Sequence, residues 1–142
     1  YREHLSLPEE LIYYLIDNQY YFKREGLYGH FDDAERFAFF SRAVLEVIPH
    51  IDFKPDIIHC NDWQTALIPL YLNIFYRGDD IYRNIKTVFT IHNIQYQGKY
   101  GHELTNDVLG IPAECETLLD YDNCVNFMKG AIQCSNKITS GS

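Results

Sequence analysis

The sequence has little positive charge. Only 12 Lys and Arg residues stand against 20 Asp and Glu residues, which gives a formal net charge of −8. A nucleic-acid surface requires clustered basic side chains, so this balance argues against a nucleic-acid partner. The sequence also lacks any apolar run near the roughly 20 residues that a membrane helix requires, so we expect no membrane partner.

Paired cysteine motifs are missing as well. The four cysteines form no C-x-x-C pair, and each lies among apolar residues or at the end of an apolar run. They are Cys60, Cys115, Cys124 and Cys134. This pattern predicts buried free thiols in a reducing compartment, and therefore a cytoplasmic protein, in preference to a disulfide framework or a metal site.

The sequence has neither an initiator Met nor a terminating secondary-structure element. The 142 residues are enough for one domain with its own core, and too few for a two-domain enzyme. The chain begins at Tyr1 and ends in Ser140-Gly141-Ser142, with no closing element. We therefore expect both ends to be cuts in a longer protein.

Strand and helix patterns alternate along the chain. Short apolar, β-branched runs predict strands over residues 10–16, 56–60, 85–91 and from 137, and apolar stripes predict helices over 33–48, 63–74, 103–110 and 123–135. Asp32 and Glu35 have the spacing of a capping box, Asp62 is a candidate N-cap, and Pro69 predicts a kink or a displaced start of its helix. The alternation predicts an α/β fold in which helices cover a parallel sheet.

Polar side chains follow two of the predicted strands directly. Residues 59–63 read His-Cys-Asn-Asp-Trp, and residues 92–98 read His-Asn-Ile-Gln-Tyr-Gln-Gly. Ligands of open parallel sheets bind beyond the carboxyl ends of the strands, so both segments face one cleft if the strands are neighbours. The candidate groups, which suit a neutral polyhydroxylated ligand, are Asp62, Trp63, His92, Asn93 and Tyr96.

Each candidate also has a purely structural explanation. Asp62 could cap a helix, Trp63 could be the first core residue of that helix, and residues 92–93 could fix a turn. His59 is better explained as a buried histidine whose ring nitrogens are hydrogen-bonded, and Tyr28 as a solvated loop residue. Spacing alone leaves these alternatives open.

Two other functions are weaker alternatives. His59, Asp62 and His92 are residue types that suit zinc, but no His-x-x-x-His spacing supports a metal hydrolase. A generic nucleotide-binding protein is disfavoured because no Gly-rich phosphate loop precedes a helix.

Two segments resemble bacterial glycogen synthases and plant starch synthases. Residues 55–66 are similar to the His-x-x-Asp-Trp segment of that family, and residues 88–98 resemble its Thr-[Ile/Val]-His-Asn-[Leu/Ile]-x-Tyr-Gln-Gly segment. Further matches lie at residues 20–22, 26–29, 35–41, 126–131 and 137–139. The resemblance runs from about residue 15 to residue 139, which is nearly the whole chain.

The resemblance implies a GT-B glycosyltransferase of two Rossmann-like domains. Such enzymes transfer glucose from ADP-glucose to the non-reducing end of an α-1,4-glucan with retention of configuration. Residues 1–142 would be part of the N-terminal, acceptor-side domain. The first strands, with the Lys-x-Gly-Gly-Leu loop that meets the donor phosphates, and the C-terminal donor domain would be absent.

The resemblance also implies a set of site residues. His92 and Asp62 would be catalytic, with His92 hydrogen-bonded to the transferred glucose and Asp62 accepting bonds from sugar hydroxyls. The substrate-binding residues would be Tyr28, Trp63, Asn93 and Tyr96. No cofactor and no metal are implied.

Two expectations follow for the chain by itself. We expect it to be inactive alone, because transfer requires reactants positioned between both domains. An open sheet edge would favour a homodimer or strand exchange. The alternative function is that of a non-catalytic carbohydrate-binding α/β module.

Overall fold

Three parallel strands form the centre of the fold. The computed structural model describes residues 11–141. Strands β1 (Ile57–Asn61), β2 (Lys86–Ile91) and β6 (Lys137–Ser140) lie in the order β1-β2-β6, and Asn61 lies opposite Thr90. The predicted parallel sheet is confirmed, and so is the prediction that the strands at 57–61 and 86–91 are neighbours.

Helices cover one face of this sheet. They are α1 (Gln19–Phe22), α2 (Asp33–Val47), α3 (Leu67–Tyr71), α4 (Leu104–Asp107) and α5 (Phe127–Cys134), with 3₁₀ turns at Ile48–His50, Trp63–Thr65 and Ala113–Leu118. Fully buried apolar side chains of α2, α3 and α5 pack with Cys60 and Phe89 of the sheet. The α/β, Rossmann-like fold class is thus confirmed. Within residues 11–141, no helix has the length and apolar character needed to cross a membrane.

The predicted helix at 63–74 is present in three pieces. A 3₁₀ turn at Trp63–Thr65 leads into α3, and a π-helical turn at Leu72–Tyr76 follows it. Pro69, which lacks a backbone N–H, lies inside α3. The predicted disturbance at Pro69 is therefore confirmed, while the apolar stripe still faces the core.

A small antiparallel sheet replaces the start of the predicted last helix. Strands β3 (Lys99–Tyr100), β4 (Asp120–Tyr121) and β5 (Cys124–Asn126) lie in the order β3-β5-β4. Asp122 and Asn123 have φ of 53° and 58°, as the tight turn between β4 and β5 requires. The predicted helix start at 123 is wrong by four residues, because the Asn126 side chain accepts a bond from the N–H of Lys129 and caps α5.

The predicted buried strand at 10–16 is wrong where the structure describes it. Residue 10 lies outside the described residues, and residues 11–16 form no strand beyond a single bridge at Tyr14. Leu11 and Leu15 are 54% and 50% exposed. These apolar side chains line a groove beside α2 and β1, so apolar character alone did not determine their conformation.

The predicted capping box of α2 is also wrong. Asp32 makes no side-chain bond to the helix N-terminus, because its carboxylate pairs with Arg24. Glu35 accepts a bond of 2.5 Å from the hydroxyl of Tyr21. Both carboxylates bond to side chains of α1 and the loop after it, and not to the backbone of the helix N-terminus.

The four cysteines are free thiols. Cys60 and Cys134 are buried, whereas Cys115 and Cys124 are half-buried. The expected burial is therefore confirmed for Cys60 and Cys134 and holds only in part for the other two.

Candidate functional site

The carboxyl ends of β1 and β2 bring the two predicted catalytic residues together. Asp62 follows β1 directly, and His92 follows β2 directly. The N–H of Asp62 donates to the carbonyl of Thr90 at 3.0 Å, and Oδ1 of Asp62 accepts from the N–H of His92 at 2.8 Å. The predicted convergence of both polar segments on one edge of the sheet is therefore confirmed.

Asp62 adopts a strained backbone conformation. Its φ and ψ are 61° and 176°, a region that favours Gly and costs other residues on the order of 1–3 kcal/mol. Its carboxylate makes no capping bond to the following helical turn, so the N-cap explanation is wrong for the side chain. The carboxylate instead links the two strand ends.

The imidazole of His92 is exposed, and Asn61 binds one of its two ring nitrogens. Its Nε2 lies 3.0 Å from Oδ1 of Asn61, and because that oxygen only accepts, Nε2 carries the hydrogen. Nδ1 is then the ring atom that can accept from a ligand. A Cβ at Gly141 would lie 3.0 Å from Nδ1, so a side chain at that position would crowd this atom.

Asn61 is a site residue that the candidate set omitted. It lies opposite Thr90 in the sheet register, and Thr90 is two residues before His92. Because side chains alternate along a strand, Thr90 and His92 share a face with Asn61. That register could have identified Asn61 from sequence once the strands were paired.

The segment after His92 is a turn anchored to α5. Oδ1 of Asn93 accepts from the N–H of Gln95 at 3.0 Å, which confirms the turn explanation for Asn93. At the far end, the carbonyls of Gln97 and Gly98 accept from the N–H groups of Met128 and Phe127 at 3.0 and 2.9 Å. The segment is therefore fixed at both ends.

Three aromatic rings meet beside this turn. The Tyr28 ring lies 6.2 Å from that of Trp63, edge-on, and 6.0 Å from that of Tyr96. Tyr28 and Tyr96 are 46% and 52% exposed, whereas Trp63 is 6% exposed and packs on Phe37 at 5.1 Å. The core explanation of Trp63 is confirmed. Its ring packs against Tyr28 and, being buried, has no open face on which a sugar could stack.

His59 lies on the same face of the sheet as Asn61, two residues earlier in β1, but it bonds to a threonine and not to Asp62 or His92. Its side chain is exposed, and its Nε2 lies 2.6 Å from Oγ1 of Thr90, which lies 2.5 Å from Oγ1 of Thr139. The expectation of a buried histidine is wrong, because the face of the sheet that carries His59 is exposed in the described chain. His59 does not join Asp62 and His92, and residues 11–141 contain no group of three or more potential ligands able to hold a metal ion.

An ion pair joins the two ends of the loop that carries Tyr28. Arg24 donates to the carboxylate of Asp32 and to the carbonyl of Tyr20. The bond from this guanidinium holds the pKa of the Asp32 carboxyl below its ordinary value. Asp32 therefore remains ionised over the physiological pH range.

Comparison with known proteins identifies a family, and the similar sequences have names that agree with it. Residues 2–142 match the model of the starch synthase catalytic domain. The chain is 53% identical over 134 residues to a glycogen synthase of Alkaliphilus metalliredigens, and 52% identical over 132 residues to one of Geobacillus stearothermophilus. These alignments cover 93% and 92% of the chain, which spans a little over a quarter of each relative, 28% and 27%.

A solved structure is similar as well. It is the catalytic domain of starch synthase IV from Arabidopsis thaliana bound to ADP and acarbose. The TM-score is 0.71 and the sequence identity 35%, over 83% of this chain and 25% of the other.

Proposed function

Because the chain belongs to the starch synthase catalytic-domain family, we propose that it forms the acceptor-side part of a GT-B glucosyltransferase. The complete enzyme transfers glucose from ADP-glucose to the non-reducing end of an α-1,4-glucan, with retention of configuration. The observation that carries the proposal is the bond between Asp62 and His92 at the carboxyl edge of the parallel sheet. The ADP and acarbose bound to the Arabidopsis relative support the substrate classes.

His92 is the proposed hydrogen-bonding partner of the transferred glucose. Asn61 fixes the hydrogen on Nε2, so Nδ1 can accept from a sugar hydroxyl near the reacting carbon. Asp62 is proposed to bind a second hydroxyl. One of its oxygens holds the N–H of His92, and the other takes no bond from residues 11–141. Both groups would hold the glucose in position while its bond to the donor breaks.

The remaining residues are proposed to form the wall of the substrate cleft. Tyr28 and Tyr96 are exposed aromatic rings that can pack on sugar faces, with Trp63 behind them. Asn93 uses its oxygen in the turn, so its amide N–H₂ group is the part that can donate to a sugar hydroxyl. No cofactor enters the proposal.

Residues 1–142 are proposed to be one partial Rossmann-like domain of a longer cytoplasmic enzyme. The first strands and the C-terminal donor domain would come from chain outside this sequence, in keeping with the quarter of each relative that it spans. The isolated chain would then transfer no glucose. The four free thiols support a reducing compartment.

The isolated chain is also proposed to form a homodimer through its sheet edge. In the described part of the chain, β1 pairs with β2 alone, and a cavity of about 530 Å³ lies beside it. Phe53 and Ile57, which line this cavity, are 60% and 58% exposed. A second copy could cover this surface by pairing along β1. Light scattering tests this, and a monomer at all concentrations would rule it out.

Glucose transfer by the complete protein is the central test. The wild-type protein is assayed with ADP-glucose and UDP-glucose on glycogen, beside His92→Ala and the control His50→Ala in the 3₁₀ turn after α2. We expect wild type and the control to be active, and His92→Ala to lose roughly two orders of magnitude in kcat, as loss of a transition-state contact would cause. Wild type inactive with both donors, yet binding maltooligosaccharide, would establish the non-catalytic carbohydrate-binding module.

A further inference from the structure

The first turn of α2 contains a buried ion pair. Nη1 of Arg36 donates to Oδ1 of Asp33 at 2.7 Å, and the two side chains are only 3% and 6% exposed. The rings of Phe22 and Phe37 lie 5.7 and 5.3 Å from the guanidinium carbon. Charges removed from water to this extent require further polar partners, so the remaining bonds of the pair indicate what it holds.

Those bonds reach the backbone on both sides of Tyr28. Oδ2 of Asp33 accepts from the N–H of Gly29 at 2.6 Å, and Nη1 of Arg36 donates to the carbonyl of Leu27 at 3.4 Å. Nε of Arg36 donates to the carbonyl of Tyr21 at 2.7 Å, where the loop begins. Each chain neighbour of Tyr28 is therefore held by one member of the pair.

Tyr28 depends on this backbone for its position. Its side chain is 46% exposed, and its ring meets that of Trp63 edge-on and that of Tyr96 at a tilt of 59°. Gly29 has φ of 98°, so the chain turns sharply immediately after Tyr28. We infer that Asp33 and Arg36 are positioning residues that hold Tyr28 in the substrate cleft. This inference rests on the proposed function of that cleft.

The ion pair between Arg83 and Asp80 provides a matched control. It has the same spacing of three residues as the pair of Asp33 and Arg36, but its side chains are 59% and 84% exposed and, within residues 11–141, bond to no residue of the loop that carries Tyr28. The complete protein is assayed as wild type, Asp33→Ala, Asp33→Asn and Arg83→Met. The KM for ADP-glucose, the KM for glucan and kcat are measured, with kcat expressed per mole of folded enzyme. A variant that is merely less stable then shows no change in these constants.

We expect Asp33→Ala to lower kcat/KM by about tenfold or more, chiefly through KM, because a displaced binding group weakens positioning of substrate. Asp33→Asn should lie between Asp33→Ala and wild type, since its amide oxygen can still accept from Gly29. Arg83→Met should stay within about twofold of wild type, as expected for a residue without shared partners at the site. An unchanged KM in both Asp33 variants would overturn the inference.

A Tyr28→Ala background separates positioning from a general structural role. If Asp33 acts through Tyr28, Asp33→Ala should have little further effect on KM once the Tyr28 ring is removed. An equal loss in both backgrounds would overturn the inference. If Asp33→Ala does not fold, Asp33→Asn replaces it. Its smaller effect on KM should likewise be absent in the Tyr28→Ala background. Inactive wild type would instead reject the proposed function itself.

Discussion

The backbone N–H of His92 donates to the carboxylate of Asp62 at 2.8 Å, across the ends of two neighbouring strands. Asp62 makes this contact with φ at 61°, where glycine is favoured. Asp62 therefore combines an unfavourable backbone conformation with a favourable hydrogen bond. Substitutions at this position can measure the two contributions to stability separately.

Asp62→Gly should leave the free energy of unfolding nearly unchanged, while Asp62→Ala should lower it. Glycine relieves on the order of 1–3 kcal/mol of strain, which offsets a charged hydrogen bond worth about 1.5–3 kcal/mol. Alanine loses the bond and keeps the strain, so we expect it to be about 2 kcal/mol less stable than glycine. Both should reduce glucose transfer by about tenfold or more. Equal stability of the two variants in urea unfolding would contradict the strain at Asp62.

Gly98→Ala should destabilise the protein more than Gly110→Ala. The two glycines have nearly the same φ, 69° and 67°, so both substitutions carry a left-handed cost of about 1–2 kcal/mol. A Cβ at Gly98 would also lie 2.8 Å from Cε3 of Trp63 and 3.0 Å from Cβ of Phe127, whereas Gly110 has open space. We expect overpacking at Gly98 to add about 1–3 kcal/mol. Thermal unfolding of both variants gives the difference, and equal melting temperatures would refute the close packing at Gly98.

Two of the four thiols should resist a thiol reagent in the folded protein. Burial raises the pKa of the Cys60 thiol to about 12 and that of Cys134 to about 11, so both remain protonated at pH 8. Cys115 and Cys124 are half-buried and should react first. Mass spectrometry after brief labelling identifies the modified residues. Early labelling of Cys60 would show that its burial is wrong.

Stability should fall at acid pH in part through Asp32. The Arg24 guanidinium holds the pKa of this carboxyl below its value in the unfolded chain, so the ion pair stabilises the fold above about pH 4. This stability is lost as the pH falls through the lowered folded pKa. We expect Arg24→Met to be less stable at neutral pH and less sensitive to acid below about pH 4.

The control is Arg83→Met, which removes an exposed ion pair to Asp80 with side chains 59% and 84% exposed. It should leave the pH profile of thermal unfolding unchanged, because exposed pairs contribute little. Identical profiles for Arg24→Met and wild type would argue against the role of Asp32.

The sequence predicted the parts of the fold whose patterns are long and local. The strands that became β1 and β2 are rich in apolar and β-branched residues, and the polar residues after them led to Asp62 and His92. Strands of two or three residues, such as β3 and β5, carry no measurable period, so the small sheet was not predicted.

Contacts between distant residues explain the other differences. Asp32 has the spacing of a cap, but Arg24, eight positions earlier, takes its carboxylate. The bond that Nε2 of His92 donates to Oδ1 of Asn61 spans 31 positions and becomes visible only when the strands are paired. The position of Tyr28 depends on Asp33 and Arg36, whose burial no local pattern indicates.

Trp63 is the one tryptophan of this sequence, and it lies behind the Tyr28 ring. The chain therefore carries an intrinsic fluorophore in contact with its own candidate ligand-binding surface. A ligand that displaces Tyr28 would alter the surroundings of the indole, and its emission would respond without any attached dye. Occupancy of the cleft could be followed by titration in solution, separately from turnover.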